Sequence, residues 1–174
     1  ADFMTIKEKL GKLKGIRFVY AGDGRNNMSN ALMIGCSKMG LHYVIASPES
    51  LYPDKQLVEL CKVYAEESGG SITITSDMKY AVKNADVIYT DVWVSMGEEA
   101  KTKERVDLLQ PYQINEEVMS ATENENTIFM HCLPAVRGYE VTNEVLEGKQ
   151  SVVFDEAENR MHTIKAVIAA TMGI

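Results

Sequence analysis

Four side chains able to do chemistry fall in two short stretches: Asp91 and Ser95 in DVWVSMG (91–97), His131 and Cys132 in FMHCLPA (129–135). A carboxylate pairs with an ammonium group and a hydroxyl adds a hydrogen bond, while a thiol or an imidazole moves protons or attacks an electrophile. Each residue also has a plainer reading. Asp91 suits a turn or a helix cap after a strand, free cysteine is among the most buried residue types, and a histidine can be satisfied inside a core. Position separates these four from such residues elsewhere in the chain. Each stretch begins where an apolar run ends, DVIYT (86–90) before the first and TIFM (127–130) before the second. In open α/β sheets, ligands sit in loops at the carboxyl ends of strands.

A third loop, AGDGRNN (21–27), follows the apolar run IRFVYA (16–21) and opens a helical stretch. Gly22 and Gly24 have the spacing of a dinucleotide-binding turn. Asn27, however, occupies the third glycine position, and Glu49 is the one acid placed to meet a ribose. A helix amino terminus also presents free N–H groups to an anion, with Asn27 at its mouth. The plainer reading of Asn27 is an asparagine in a tight turn.

The elements that must position these loops are legible as an alternation of apolar runs and helical periodicity. Strands are expected at 16–21, 42–46, 71–75, 86–90 and 127–130. Their near-continuous apolar character suits a sheet covered on both faces. A helix is expected over 54–67, where Leu57, Leu60, Cys61 and Tyr64 recur at three- and four-residue steps after the turn signal SPESLYPD. With right-handed crossovers, the expected fold is a Rossmann-like, three-layer α/β domain with a central parallel sheet in the order 3-2-1-4-5. The strand order then reverses between the first and fourth strands, so the loops bearing Asn27 and Asp91 face each other.

Composition narrows the function. With 174 residues, 45% of them hydrophobic and 25% charged, one domain spanning 1–174 with a substantial core is expected. A formal net charge of −7 disfavours nonspecific contact with nucleic acid or anionic lipid and leaves small molecules as the better ligands. No apolar run approaches the roughly 18 residues needed to span a membrane, and ADFMTIKEKL lacks the order of a signal peptide, so a soluble cytoplasmic protein is expected. Cys36, Cys61 and Cys132 are odd in number and form no CxxC pair, which speaks against disulfides or a zinc site. Neither a metal nor another cofactor is expected.

The SMG loop and the HCLP string closely resemble those of the ornithine carbamoyltransferases, and the likeness extends to the final helix, DEAENRMHTIKAV (155–167). The resemblance implies transfer of the carbamoyl group of carbamoyl phosphate to L-ornithine, giving L-citrulline. Asn27 and the Met96 main chain would then hold the α-carboxylate of ornithine, and Asp91 and Ser95 its α-ammonium. Cys132, the catalytic candidate, would orient the amine and handle its proton, a role favoured over nucleophilic attack because Asp91 beside it disfavours the thiolate. The Leu133 carbonyl would accept from the carbamoyl NH₂ group and Arg160 would meet the carbonyl oxygen of carbamoyl phosphate. Arg160 could equally pair with Asp155, Glu156 or Glu158 on its own helix. His131 is left as an ancillary acid or base, or as a structural imidazole.

Neither a Ser-Thr-Arg-Thr phosphate loop nor a His-Pro-x-Gln motif occurs in the chain. By resemblance, the chain is the ornithine-binding half of a two-domain transferase whose amino-terminal, carbamoyl-phosphate-binding domain is absent. The full-length enzyme is expected to be a homo-oligomer. A noncatalytic amino-acid-binding module, or a transcarbamoylase for another amine, is the alternative. Apolar stripes at helical spacing, Phe3, Ile6, Leu10 and Leu13 at one end and Met161, Ile164, Val167, Ile168 and Met172 at the other, are expected to lie bare without that domain or else to complete this domain's own core.

Overall fold

The apolar runs form five strands, each within one residue of its expected bounds: β1 (Arg17–Ala21), β2 (His42–Ala46), β3 (Ser71–Thr75), β4 (Val87–Thr90) and β5 (Ile128–Met130). A computed structural model describes residues 1–94 and 99–173; Ser95 and Met96 lie outside the described residues. The strands pair in parallel in the order β3-β2-β1-β4-β5. Eight helices flank them among the described residues: α1 (Asp2–Leu10), α2 (Asn27–Met39), α3 (Lys55–Ser68), α4 (Met78–Val82), α5 (Thr102–Leu109), α6 (Glu116–Ser120), α7 (Asn143–Leu146) and α8 (Val153–Met172).

Alternation along the strands divides the core into two layers. Val19, Ala21, Val44, Ala46, Ile88 and Phe129 face α4 to α7, while Phe18, Tyr20, Tyr43, Ile45, Tyr89 and Met130 face α1 to α3. Successive side chains of a strand point to opposite faces, so only apolar runs without polar alternation can serve both layers. On the second face Phe18, Tyr20 and Tyr89 stack, with ring centroids 5.8 and 6.2 Å apart.

Helix α3 starts one residue later than expected. Asp54 caps it, accepting from the N–H groups of Gln56 and Leu57. Its buried stripe runs through Val58, Cys61 and Ala65, and Leu60 points to solvent instead.

The two terminal stripes behave differently, and only one fits the expectation of bare surface. In α1 Ile6 is fully buried, and Phe3 and Leu10, with Leu13 just beyond the helix, pack against the second core layer. The Phe3 ring lies so close to α2 that a Cβ on Gly35 would stand 2.4 Å from it, which is why a glycine occupies mid-helix there. In α8, by contrast, Met161, Ile164, Val167, Ile168 and Met172 are all about half exposed or more. The first half of α8 is fixed by polar contacts to α1: Asn159 donates to Thr5 Oγ1 and to Glu8 Oε2, and Lys9 pairs with Asp155 at 2.8 Å. Amphipathic spacing shows that a face needs cover, and the tertiary fold supplies that cover for one helix only. No helix among the described residues is long and apolar enough to cross a membrane.

Candidate active site

The crossover positions the first loop. Gly22 adopts φ +132° and donates to the Ala46 carbonyl, while a Cβ at Gly24 would lie 2.7 Å from the Leu51 carbonyl. Gly24 therefore serves close approach to the loop after β2, and Gly22 a backbone conformation that other residues rarely adopt. Asn26 caps α2 by accepting from Met28 N–H. Asn27, next in line, starts the first turn with an exposed side chain, at the positive end of the helix dipole.

At the neighbouring strand end Asp91 is 7% exposed. Its Oδ1 accepts from the Val92 N–H at 2.8 Å and from the Cys132 thiol at 3.3 Å. The thiol sits half-buried, and burial together with the adjacent carboxylate pushes its pKa up to about 12. At neutral pH the thiol therefore keeps its proton, which points to Asp91. Asp91 and Cys132 are 41 positions apart in sequence and meet here.

His131 is fully buried. Its Nδ1 accepts from the Leu133 N–H at 2.9 Å, which fixes the proton on Nε2, and Nε2 faces Glu140 Oε1 at 3.4 Å without reaching hydrogen-bond geometry. Glu140 in turn accepts from the Val136 N–H. The imidazole thus braces the turn in which Leu133 adopts φ +54°, and it does not reach into the crevice as a free base. One ligand atom each from Asp91, His131 and Cys132 lies within 4.8 Å of the others. Within that trio the imidazole Nδ1 is engaged by the Leu133 N–H and the thiol by Asp91.

Arg160 stands exposed on α8, and none of the three acids that could have masked it does so. Asp155 pairs with Lys9, Glu158 contacts His162 at 3.3 Å, and Glu156 turns inward. Among the described residues no hydrogen bond or ion pair engages its guanidinium.

Three participants escaped the sequence reading. Arg105 on α5 donates from Nη2 to Asp23 Oδ2 and from Nε to the Trp93 carbonyl, both at 2.7 Å. It ties the loop bearing Asn27 to the chain just before the SMG residues, across 82 positions. Glu140 is the second. The third, Glu156, is 3% exposed and accepts from the Tyr89 hydroxyl and the His131 N–H, each at 3.1 Å. No local signal marks these partners; burial of a charged residue is visible only in three dimensions. A separate cavity of about 570 Å³, between α6 and α7, is lined by Glu116, Glu123, Glu144 and Lys149 and contains none of the residues above.

Burial, reinforced by the Asp2 carboxylate, pushes the Glu156 carboxyl up to about 8. The folded chain therefore keeps a proton that the unfolded chain has released above the ordinary carboxylate range. Stability from this group is complete below that range and is lost as the pH rises through about 8. The thermal midpoint is expected to fall by several degrees between about pH 6 and pH 9, and Glu156→Gln to flatten the decline. A midpoint that rises over that interval contradicts the assignment.

The family profile for the Asp/Orn-binding domain of aspartate/ornithine carbamoyltransferase matches residues 14–171. The chain belongs to that family. It is 60% identical over 172 residues to an ornithine carbamoyltransferase of Pseudothermotoga lettingae, covering 99% of this chain and 55% of the relative. A catabolic ornithine carbamoyltransferase of Bacillus licheniformis is 54% identical, with 99% and 57% covered. Among solved structures, the ornithine carbamoyltransferase from Pyrococcus furiosus superposes with a TM-score of 0.91 at 49% identity, over 97% of this chain and 53% of that one. The aspartate/ornithine carbamoyltransferase match thus agrees with the strand order observed. The chain spans about half the length of the relatives it matches.

Proposed function

We propose that this chain is the ornithine-binding half of an ornithine carbamoyltransferase, which converts carbamoyl phosphate and L-ornithine to L-citrulline and phosphate. The observation that carries the reading is the Asp91–Cys132 contact, 3.3 Å long, at the carboxyl ends of β4 and β5, with the exposed Asn27 in the loop after the neighbouring β1. An amino acid with a second, terminal amine needs an anchor at each end of its α-carbon and an open path for the reacting nitrogen. Asn27 and the start of α2 suit the α-carboxylate, and Asp91 the α-ammonium, through an Oδ2 atom that carries no hydrogen bond to any described residue. Ser95 and Met96 are assigned the remaining ornithine contacts.

The side-chain nitrogen of ornithine then attacks the carbamoyl carbon as a neutral amine. A C–N bond forms, the C–O bond to phosphate breaks with its electron pair, and the nitrogen gives up a proton. Cys132 orients the amine and relays that proton, the Leu133 carbonyl accepts from the carbamoyl NH₂, and Arg160 stabilises charge on the carbonyl oxygen. No covalent thioester is required. The phosphate site belongs to the other half of the enzyme, and the bare stripe of α8 is where we place part of its contact. We assign the enzyme to the cytoplasm, as a homo-oligomer when full length.

Joining the chain to the segment of its Pseudothermotoga lettingae relative that the match leaves uncovered tests the reading. Citrulline formation from ornithine and carbamoyl phosphate is expected in the joined protein and at no appreciable rate in the chain alone. Saturable activity of the purified chain alone, free of host enzyme, or a folded joined protein without activity, counts against it.

A further inference from the structure

Glu156 contacts none of the groups assigned to substrate, yet it is almost fully buried beside them. A carboxyl group taken that far from water is destabilising unless its oxygens are satisfied. Both are, and by two different strand ends: Oε1 accepts from the hydroxyl of Tyr89, two residues before Asp91, and Oε2 from the N–H of His131, the residue before Cys132. The register of β4 on β5 has three rungs, the last being Tyr89↔Met130. Asp91 and Cys132 meet just beyond that last rung. The Glu156 carboxyl group continues the ladder as a side-chain bridge at the point where the backbone ladder stops. It also fixes the first turn of α8, so Arg160, four residues on, is held relative to the same two strand ends.

We propose that Glu156 is the positioning residue of this crevice, bridging the ends of β4 and β5 so that the Cys132 thiol rests on the Asp91 carboxylate. The proposal rests on the reading of Asp91 and Cys132 as the substrate-facing pair. Titratable groups facing Glu156 come from three sides: Asp2 on α1, Tyr89 on β4 and Cys132 after β5. Glutamine can keep both links, with its oxygen accepting from His131 N–H and its NH₂ donating to the Tyr89 oxygen. Alanine keeps neither.

The test is the rate of Cys132 alkylation by iodoacetamide against pH, resolved by peptide mass spectrometry, in the chain itself and without substrate. Only the thiolate reacts appreciably, so the profile reports whether the thiol still rests on Asp91. Glu156→Ala is expected to raise the Cys132 rate at pH 8.5 by about tenfold or more, the equivalent of a one-unit fall in thiol pKa, with the profile displaced to lower pH. Glu156→Gln should stay within about threefold of the parent chain, and Glu156→Asp, too short to reach both strand ends, should exceed about threefold. Cys36 and Cys61, both fully buried in the core, should not change in any variant. An unmoved Cys132 profile in Glu156→Ala, a rise shared by all three cysteines, or Glu156→Gln behaving like Glu156→Ala overturns the proposal. If Glu156→Ala does not fold, Glu156→Asp and Glu156→Gln decide it by the same thresholds. Failure of the parent chain to bind ornithine would overturn the substrate reading and leave this readout intact.

Discussion

Asp91→Asn is expected to weaken ornithine binding by about 2 kcal/mol, some thirtyfold, because it removes the charge partner of the α-ammonium and leaves a neutral amide in its place. The substitution is nearly isosteric, and the Asn oxygen can still accept from the Val92 N–H, so the fold should hold. A second consequence separates this from general damage. Asp91 is one cause of the high thiol pKa at Cys132, but burial is the larger. The thiol should therefore titrate lower in the variant yet stay above its ordinary range. Calorimetry with ornithine and alkylation against pH measure the two effects on one sample. Unchanged affinity would remove Asp91 from the substrate site.

Arg160→Met should act on the other reactant. In the joined two-domain protein, kcat for citrulline formation is expected to drop by about two to three orders of magnitude, the usual cost of losing a donor aimed at developing oxyanion charge. Ornithine binding to the chain alone should change little. The exposed guanidinium has no partner among the described residues, so its removal leaves no buried acid unpaired. A loss confined to the KM for ornithine would place Arg160 on the wrong substrate, and an unchanged rate would remove it from the mechanism.

Most of the sheet was legible because β1, β2, β4 and β5 are covered on both sides, whereas the edge strand β3, SITIT, alternates and is only partly buried. Runs such as FVYA and YVIA must be apolar at every position to serve two core layers, and such runs mark strands to within a residue. Turn residues marked the loops for the same local reason: Gly24 has no room for a Cβ, and Asp54 caps the helix that follows it. Asp91 and Cys132 could be proposed as neighbours once strand order was inferred, since both stand at carboxyl ends of adjacent strands.

What the sequence concealed depends on contacts between distant segments. Arg105 reads as one more charge on an amphipathic helix, and its two hydrogen bonds to Asp23 and Trp93 exist only after α5 has packed. Glu156 lies in a helix rich in acids, where nothing local distinguishes it from Asp155 or Glu158; the first turn of α8 turns one of the three inward. The stripes of α1 and α8 look alike in sequence. Gly35 admits the Phe3 ring against α2, whereas α8 continues past its contacts with α1 and leaves its later apolar residues uncovered.

The most direct test of the substrate site is a map of amide shifts in the isotopically labelled chain titrated with L-ornithine or its unreactive analogue L-norvaline. Perturbations should cluster at Asn27, Asp91, Cys132 and the 95–96 segment, saturate together, and vanish in Asp91→Asn. Shifts centred instead on the Glu116–Glu144 cavity, or no shifts up to about 10 mM ligand, would contradict the assignment of this crevice to ornithine.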